Sequence, residues 1–334
     1  MMKKLKFEHG IFVLMLLIGC QGYSQFSGWK EKILQTGAAL GAKKMGLDQV
    51  LKKPEAITTS FEDVDQTGSK LPDLLVVKNV QPLYLLPKAT EGGFVLCDGF
   101  YEMSAKSYCL KAGTFAPSQG DGYMYAPTLG PKQEIVTTIL KNAEKHPEIK
   151  QQNIQELLWA IIARSRFADF NGQLKLTAIA LLSTAELTHL EGGMLGVLPA
   201  SLMNQAKSKL PEAVQNVFEA ENNIRKMVAN GNYTYAEMEK YAIIAGMAPV
   251  RTDIPSGIWT LHPDGYYIRY YPSGYALTKV QIYVPKTLLA TGKRIVYDAT
   301  NDIACPANVG SQRLAQTNEP LNPNYAIKLK SSCK

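Results

Sequence analysis

Apolar residues recur at helical spacing through the middle of the chain, over residues 131–248. In the segment 132–146, Ile135 and Ile139 fall on one side of the predicted helix. The same spacing predicts further helices in the segments 151–167, 174–190, 200–207, 211–230 and 235–245. The middle of the chain is therefore predicted to be largely helical.

The regions on either side of this helical middle have the alternating, β-branched pattern of strands. The predicted strands are 74–88, 93–97, 258–261, 266–271, 277–284 and 295–298. The segment 112–131 is dense in Gly, Pro and Tyr and is predicted to be a structured loop. The chain is thus predicted to be α+β. It would have a mixed N-terminal module around Cys109, a largely helical middle and a small antiparallel β module at the C-terminus, ending in a polar tail.

The N-terminus has the pattern of an export signal. Three lysines precede a short apolar run at 11–18, which is too brief to span a bilayer. Two outcomes remain open: cleavage after residue 24, or a lipobox in which Cys20 becomes a lipid-anchored first residue. Either outcome predicts a bacterial protein that is secreted, periplasmic or on the cell surface, with membrane contact only through that anchor.

The pattern divides the chain into four predicted regions. These are a signal at 1–24, a helical lead and linker at 25–73, a mixed then helical domain at 74–248, and a β-rich C-terminal module at 249–334. A hydrophobic content of 46% is typical of a globular protein with a real core.

Charge and composition narrow the class of partner. The net charge of +7 comes from basic residues that are scattered along the chain and not interleaved with aromatic residues, so no nucleic-acid partner is predicted. The few histidines lie far apart without ligand spacing, so neither a metal nor another cofactor is predicted. The acidic segment 298–302 is predicted to be a polar turn.

The cysteine count has two solutions. Without Cys20 the chain keeps four cysteines, and an even number in an oxidising compartment predicts two disulfides, between residues 97 and 109 and between residues 305 and 333. The alternative places Cys109 in an internal thioester, which leaves three other cysteines. Parity favours the disulfides.

A thioester needs a thiol that reaches a glutamine carbonyl, donors for the oxyanion and a wall against water. Gln155 lies in the first turns of the helix predicted over 151–167, whose free N–H groups are expected to orient its carbonyl. Trp159 follows four residues later on the same face, where it would shield the bond. Tyr123, in the Tyr-rich loop, is expected to shield it as well.

These residues carry a resemblance to a known family. The quoted elements are Tyr108-Cys109, the loop 117–125, Ile139-Leu140, Pro147 and the run Gln155-Glu156-Leu157-Leu158-Trp159. Over roughly residues 107–160, the stretch resembles the thioester domains of Gram-positive surface adhesins. The resemblance implies that Cys109 and Gln155 form an internal thioester, and that a partner's amine opens it.

Two other functions remain open. One is a non-catalytic envelope or binding protein held by disulfides, in which Tyr266 and Tyr270 belong to a Tyr-rich sheet that contacts a glycan or protein partner. The other is a hydrolase with Cys109 as nucleophile and His146, His189 or His262 as base. A non-enzymatic role is favoured over an enzymatic one.

Overall fold

A computed structural model describes most of the chain after residue 54. The described residues are 55–67, 77, 79–118, 120–191, 212–249, 251, 253–290 and 292–329. Several predictions lie outside these residues: the signal at 1–24 with Cys20, most of the lead and linker at 25–73, the helix at 200–207, and Cys333.

Twelve strands are present in the described residues. In chain order they are β1 (Gln81–Pro82), β2 (Phe94–Val95), β3 (Gly99–Cys109), β4 (Thr114–Phe115), β5 (Tyr123–Pro127), β6 (Ile243–Ile244), β7 (Thr260–Leu261), β8 (Tyr267–Ser273), β9 (Leu277–Val284), β10 (Val296–Tyr297), β11 (Asp302–Pro306) and β12 (Leu314–Pro320).

Seven α-helices accompany these strands in the same described ranges. They are α1 (Gln133–Ala143), α2 (Gln151–Ile162), α3 (Gly172–Leu181), α4 (Thr184–Glu191), α5 (Glu212–Asn230), α6 (Tyr235–Ala242) and the short α7 (Lys286–Leu289). The helices predicted from apolar spacing at 132–146, 151–167, 211–230 and 235–245 are confirmed, although most end a few residues early. The segment predicted at 174–190 is split into α3 and α4. Within the described residues, no helix combines the length and apolar character that crossing a membrane requires.

One antiparallel sheet dominates the fold. Its strand order is β5-β11-β12-β3-β9-β8-β7, and β1 adds to β3 in parallel. The sheet curls until its first and last strands nearly meet, since the Tyr125 N–H on β5 donates to Thr260 Oγ1 on β7 at 3.3 Å. The sheet is therefore a nearly closed barrel of seven antiparallel strands.

The barrel interior follows from the alternation along its central strand. On β3, Tyr101, Met103 and Ala105 are fully buried, whereas the residues between them are half-exposed. Toward the end of β3 both faces are buried, which fits the packing of helix α2 against this strand. Helix α2 is itself apolar on nearly every side, as is typical of a helix enclosed by other elements.

The α+β prediction is confirmed, but the predicted arrangement is wrong. The C-terminal strands do not form a separate small module after a helical middle, because β9 and β12 flank β3 in the same sheet. The predicted polar tail also contains β11 and β12, and the polar residues Asp302, Gln316, Thr317 and Asn318 of these strands are buried. Segment 112–131, predicted as a loop, contributes β5 to the barrel.

Candidate functional site

Cys109 is the last residue of β3, at a point where the sheet is paired on one side only. On that side it lies opposite Leu314 of β12. On the other side the pairing with β9 ends at Lys106 and Leu277, so the backbone edge beyond Lys106 has no partner strand. A buried strand edge needs hydrogen-bond partners. The Ser107 N–H still donates to the Ala276 carbonyl at 3.0 Å, and side chains must supply the remaining partners.

Two glutamine side chains supply these partners from helix α2. The Gln155 amide makes both bonds to one residue: Oε1 accepts from the Cys109 N–H at 2.8 Å, and Nε2 donates to the Cys109 carbonyl at 3.2 Å. Gln151 lies one turn earlier on the same face, and its Nε2 donates to the carbonyls of Ser107 and Ala276. The structure therefore brings Cys109 and Gln155 together across 46 residues of chain.

The donor to Gln155 differs from the one expected. Helix α2 begins at Gln151, so Gln155 lies in its second turn, beyond the free N–H groups of the helix start. The oxygen of its carboxamide is held by the backbone of Cys109. If a nucleophile attacked the Gln155 carbonyl carbon, Oε1 would become the oxyanion. The Cys109 N–H already donates to that oxygen.

The Cys109 thiol is uncharged in its resting state. The side chain is fully buried, and burial followed by the negative charge of Glu239 raises the pKa of the thiol well above its ordinary value. A thiol of this kind is shielded from solvent reagents and needs a base to become a nucleophile. Gln155, 2% exposed, is buried beside it.

Aromatic residues pack around Trp159, which lies one helical turn after Gln155 on α2. Trp159 is fully buried, and its ring lies 5.5 Å from the Tyr235 ring and 6.2 Å from the Tyr275 ring, measured between centroids. Its indole N–H has no hydrogen-bond partner within the described residues. Trp159 and Gln155 are one turn apart on α2, and the shielding role of Trp159 stays a prediction.

Tyr123 lies in the barrel interior, where its hydroxyl donates to the Gln312 carbonyl at 3.0 Å. Burial raises the pKa of Tyr123, and the nearby thiols of Cys109 and Cys305 raise it further. Tyr123 is therefore a buried residue of strand β5 and not part of a loop, and its shielding role stays a prediction.

The predicted disulfides do not form. Cys109 and Cys305 are both free and buried, whereas Cys97 is disulfide-bonded to another residue. The disulfide prediction from the even number of cysteines is wrong. Cys109 lies on β3 and Cys305 on β11, and each is a buried, free thiol within the sheet. A free Cys109 is a requirement of the thioester alternative.

Tyr266 and Tyr270 are not a contact surface. They are 1% and 0% exposed and pack in the core. Tyr266 and Tyr270 do share one face of the strand region, as the alternation predicts, but the other face, with Tyr267 and Tyr271, meets solvent. There, stacked rings of Phe100 and Tyr283 lie 4.5 Å apart, and the Arg269 guanidinium lies 4.3 Å from the Trp259 ring.

No histidine hydrogen-bonds to Cys109 within the described residues. His146 pairs with Glu148 at 2.8 Å, and His189 lies in the last turn of α4. His262 lines a separate pocket of about 450 Å³, stacked on Tyr266. In the described residues, none of the three histidines named for the hydrolase alternative is hydrogen-bonded to Cys109.

The predicted polar turn around residue 298 is structural. Asp298 caps a short 3₁₀ helix at Ala299–Asn301 by accepting from the Thr300 N–H. In the described part of the chain, no group of three or more His, Cys, Asp or Glu side chains is arranged to hold a metal ion.

Four residues of the site were not predicted. Gln151 is one helical turn before Gln155, a spacing that the sequence displays. Glu239 and Tyr235 share the same spacing on α6, but nothing in the sequence relates them to Tyr275, which lies in the turn between β8 and β9. Their proximity is a product of the fold.

Comparison with protein-family models, with curated proteins and with solved structures finds no match for this chain.

Proposed function

We propose that this protein forms an internal thioester between Cys109 and Gln155, and that it uses this bond to attach covalently to a primary amine of a partner in the cell envelope or outside the cell. The observation that carries the proposal is the reciprocal pair of hydrogen bonds between the Gln155 carboxamide and the Cys109 backbone. The proposed location is bacterial: secreted, periplasmic or at the cell surface, with a lipid anchor at Cys20 as one option.

The chemistry is balanced without a cofactor. The Cys109 sulfur attacks the carbonyl carbon of Gln155, and the negative charge develops on Oε1, which already accepts from the Cys109 N–H. The C–N bond then breaks, the thiol proton moves to the departing nitrogen, and ammonia leaves. A lysine amine of the partner later attacks the same carbon, forms an amide and returns the thiol.

Burial supports the lifetime of such a bond. A thioester in water hydrolyses, whereas Cys109 and Gln155 are 0% and 2% exposed. The fully buried Trp159 lies against the half-buried rings of Tyr235 and Tyr275. These rings keep bulk water from the pair.

A second candidate is a non-catalytic binding protein that uses the outer face of the sheet. Its support is a row of half-exposed rings, in which Tyr267 and Tyr283 stack at 6.1 Å and Lys279 lies 5.0 Å from the Tyr271 ring. Flat rings beside cations suit stacking against sugars or a protein surface. This candidate does not require Cys109 or Gln155.

Intact mass of the purified protein tests the thioester directly. We expect the mass of the native protein to be lower by one ammonia than its sequence and disulfide predict. Methylamine should then add its own mass, as a methylamide on Gln155. Cys109→Ala and Gln155→Ala should both abolish the loss. The matched controls are Cys305→Ala, which removes the other buried free thiol, and Gln151→Ala, which removes the neighbouring amide; both should retain it.

Either of two results would contradict the proposal. One is a native mass that shows only the disulfide of Cys97. The other is an ammonia loss that persists in Gln155→Ala. The second candidate would then be favoured if Tyr271→Ala abolished binding to polysaccharide.

A further inference from the structure

A chain of three side chains borders the Cys109–Gln155 pair. The Tyr275 hydroxyl donates to Glu239 Oε1 in a short hydrogen bond. The Tyr235 and Tyr275 hydroxyl oxygens are 2.9 Å apart. Because the single hydroxyl proton of Tyr275 is directed to Glu239, Tyr235 must be the donor to Tyr275. The order of donation is therefore Tyr235 to Tyr275 to Glu239.

Two elements hold this chain beside the pair. Tyr235 and Glu239 lie one turn apart on α6, which begins with a capping box formed by Thr234 and Glu237. Tyr275 follows Gly274, whose φ of 63° turns the chain between β8 and β9. The Tyr275 carbonyl accepts from Ser107 Oγ at 2.9 Å, two residues before Cys109.

The three side chains lie between the buried pair and solvent. Cys109 and Trp159 are completely buried, whereas Tyr235, Glu239 and Tyr275 are only partly buried. Trp159, four residues after Gln155, contacts both tyrosine rings. Tyr235 and Tyr275, with Glu239 hydrogen-bonded to Tyr275, are therefore partly solvent-accessible groups that adjoin Trp159.

The chain is also electrostatically coupled to the thiol. The charge of Glu239 contributes to the raised pKa of Cys109, and the charges of Glu239 and of a Cys109 thiolate both contribute to that of Tyr235. Burial is the larger cause in each case.

We propose that the Tyr235–Tyr275–Glu239 chain is the entry point and acid–base group of the thioester site, with Glu239 receiving the ammonium group of the incoming amine. This inference rests on the proposed function and adds to it the charge state of the substrate and the route by which its proton leaves. In this proposal Glu239 contacts the incoming amine directly and reaches the Cys109 sulfur only through the tyrosine hydroxyls.

The proton balance gives Glu239 one task in each step. During thioester formation its carboxylate takes the Cys109 proton through the hydroxyls and returns it to the departing nitrogen, so ammonia leaves with no net proton change. During capture, a substrate R–NH₃⁺ gives one proton to Glu239. The resulting amine attacks the Gln155 carbonyl carbon, its second proton passes to the Cys109 sulfur as the C–S bond breaks, and the third stays on the new amide.

Other ionisable groups face the same region and must be separated from Glu239. Glu156 on α2 is half-buried, with a pKa raised by burial, and its charge reaches Tyr233 and Tyr235. Tyr233, just before α6, also has a pKa raised above its ordinary value, mainly by burial. Glu156→Gln is therefore the matched carboxylate control.

The experiment measures amine incorporation by intact mass as a function of pH, with methylamine and hydroxylamine as probes. Glu239→Gln should slow methylamine incorporation about 100-fold or more, because general acid–base groups contribute this much, and Glu239→Asp should restore part of the rate. Hydroxylamine is uncharged at neutral pH and needs no proton removed before attack, so its rate should fall far less. Tyr275→Phe should resemble Glu239→Gln, and Glu156→Gln should resemble the wild type.

The outcomes separate the two proposals. A wild-type protein without the ammonia loss contradicts the thioester itself. The second outcome is a wild type that shows the ammonia loss and a Glu239→Gln variant with an unchanged rate and pH profile of amine incorporation. This outcome overturns the acid–base chain alone. Equal slowing with methylamine and hydroxylamine also counts against the acid–base chain. So does a loss of thioester formation in Glu239→Gln that Glu239→Asp does not restore, if the melting temperature is unchanged. A pH profile altered by Glu156→Gln and not by Glu239→Gln assigns the role to Glu156.

Discussion

Gln151 and Gln155 lie one turn apart on α2, and their carboxamides take the place of a partner strand along the edge of β3 beyond Lys106. One helix face therefore completes the hydrogen bonding of a barrel strand. The same arrangement places a glutamine carbonyl beside a cysteine, so the structural and the proposed chemical roles of Gln155 share one geometry.

The two glutamines should differ in their effect on stability. Gln155→Ala leaves the buried N–H and C=O of Cys109 unpaired and should lower the free energy of unfolding by about 1–3 kcal/mol. Gln151→Ala should lower the free energy of unfolding less, by about 0.5–1.5 kcal/mol. Gln151 is only partly buried, so water can replace some of its hydrogen bonds. Urea unfolding in a Cys109→Ala background measures both without interference from a thioester. Equal effects would contradict the edge-satisfying role of Gln155.

The two free thiols should resist alkylation in the native protein. Burial raises the pKa of Cys109 well above its ordinary value and that of Cys305 to about 12, so neither is a thiolate at neutral pH. Iodoacetamide followed by peptide mass spectrometry should label neither residue until the protein is denatured. Rapid native labelling of Cys109 would instead favour a reactive cysteine enzyme.

Trp159 should control the lifetime of the proposed thioester. Trp159→Ala opens a cavity beside the pair and should lower the free energy of unfolding by about 3–5 kcal/mol. Water admitted there would hydrolyse the thioester and convert Gln155 to a carboxylic acid, which peptide mass spectrometry detects. Trp159→Phe keeps a ring in place and should show less hydrolysis; the same acid content in both variants would remove the shielding role.

Asp302 should make stability fall as pH rises. Burial raises the pKa of this carboxyl, with His262 opposing the shift, so the folded state retains its proton above the ordinary carboxyl pKa of 3.8. In the window just above that value the folded state binds more protons than the unfolded state, and the free energy of unfolding decreases with pH. Asp302→Asn removes this dependence.

Unfolding of both proteins across that window gives the test. The stability of Asp302→Asn relative to wild type should increase with pH. Glu148→Gln alters an exposed carboxyl, whose pKa is lowered chiefly by the bond to His146, and should produce the opposite trend. A difference between Asp302→Asn and wild type that stays constant with pH would show that Asp302 titrates normally.

The outer aromatic face should matter only for the second candidate function. Tyr271→Ala and Tyr283→Ala should weaken retention on polysaccharide resins if this face binds glycans, because both rings are half-exposed. Tyr325→Ala is a suitable control, since that ring is 72% exposed but lies far along the chain in the C-terminal segment. Unchanged retention in the first two variants would exclude glycan stacking on this face.

Local patterns predicted the helices well and the barrel poorly. Helices α1 and α2 follow from apolar spacing, because each buries one or more faces over several turns. The sequence predicts a polar tail where β12 lies, because Gln316, Thr317 and Asn318 are polar, yet all three are buried. Asn318 bonds to Glu144, Asp298 and the Ala299 N–H, and such long-range pairing has no local signature.

The sequence by itself determined the helical segments, the two alternating faces of β8, and the pairing of a cysteine with a glutamine as candidate chemistry. Only the tertiary structure decided that Tyr266 and Tyr270 face the core, that Cys109 is a free thiol, and that Glu239 reaches Tyr275. The physical reason is the separation along the chain of the residues that interact. Helical periodicity depends on residues a few positions apart, whereas burial, hydrogen-bond partners and pKa shifts depend on which distant strands and helices enclose each side chain.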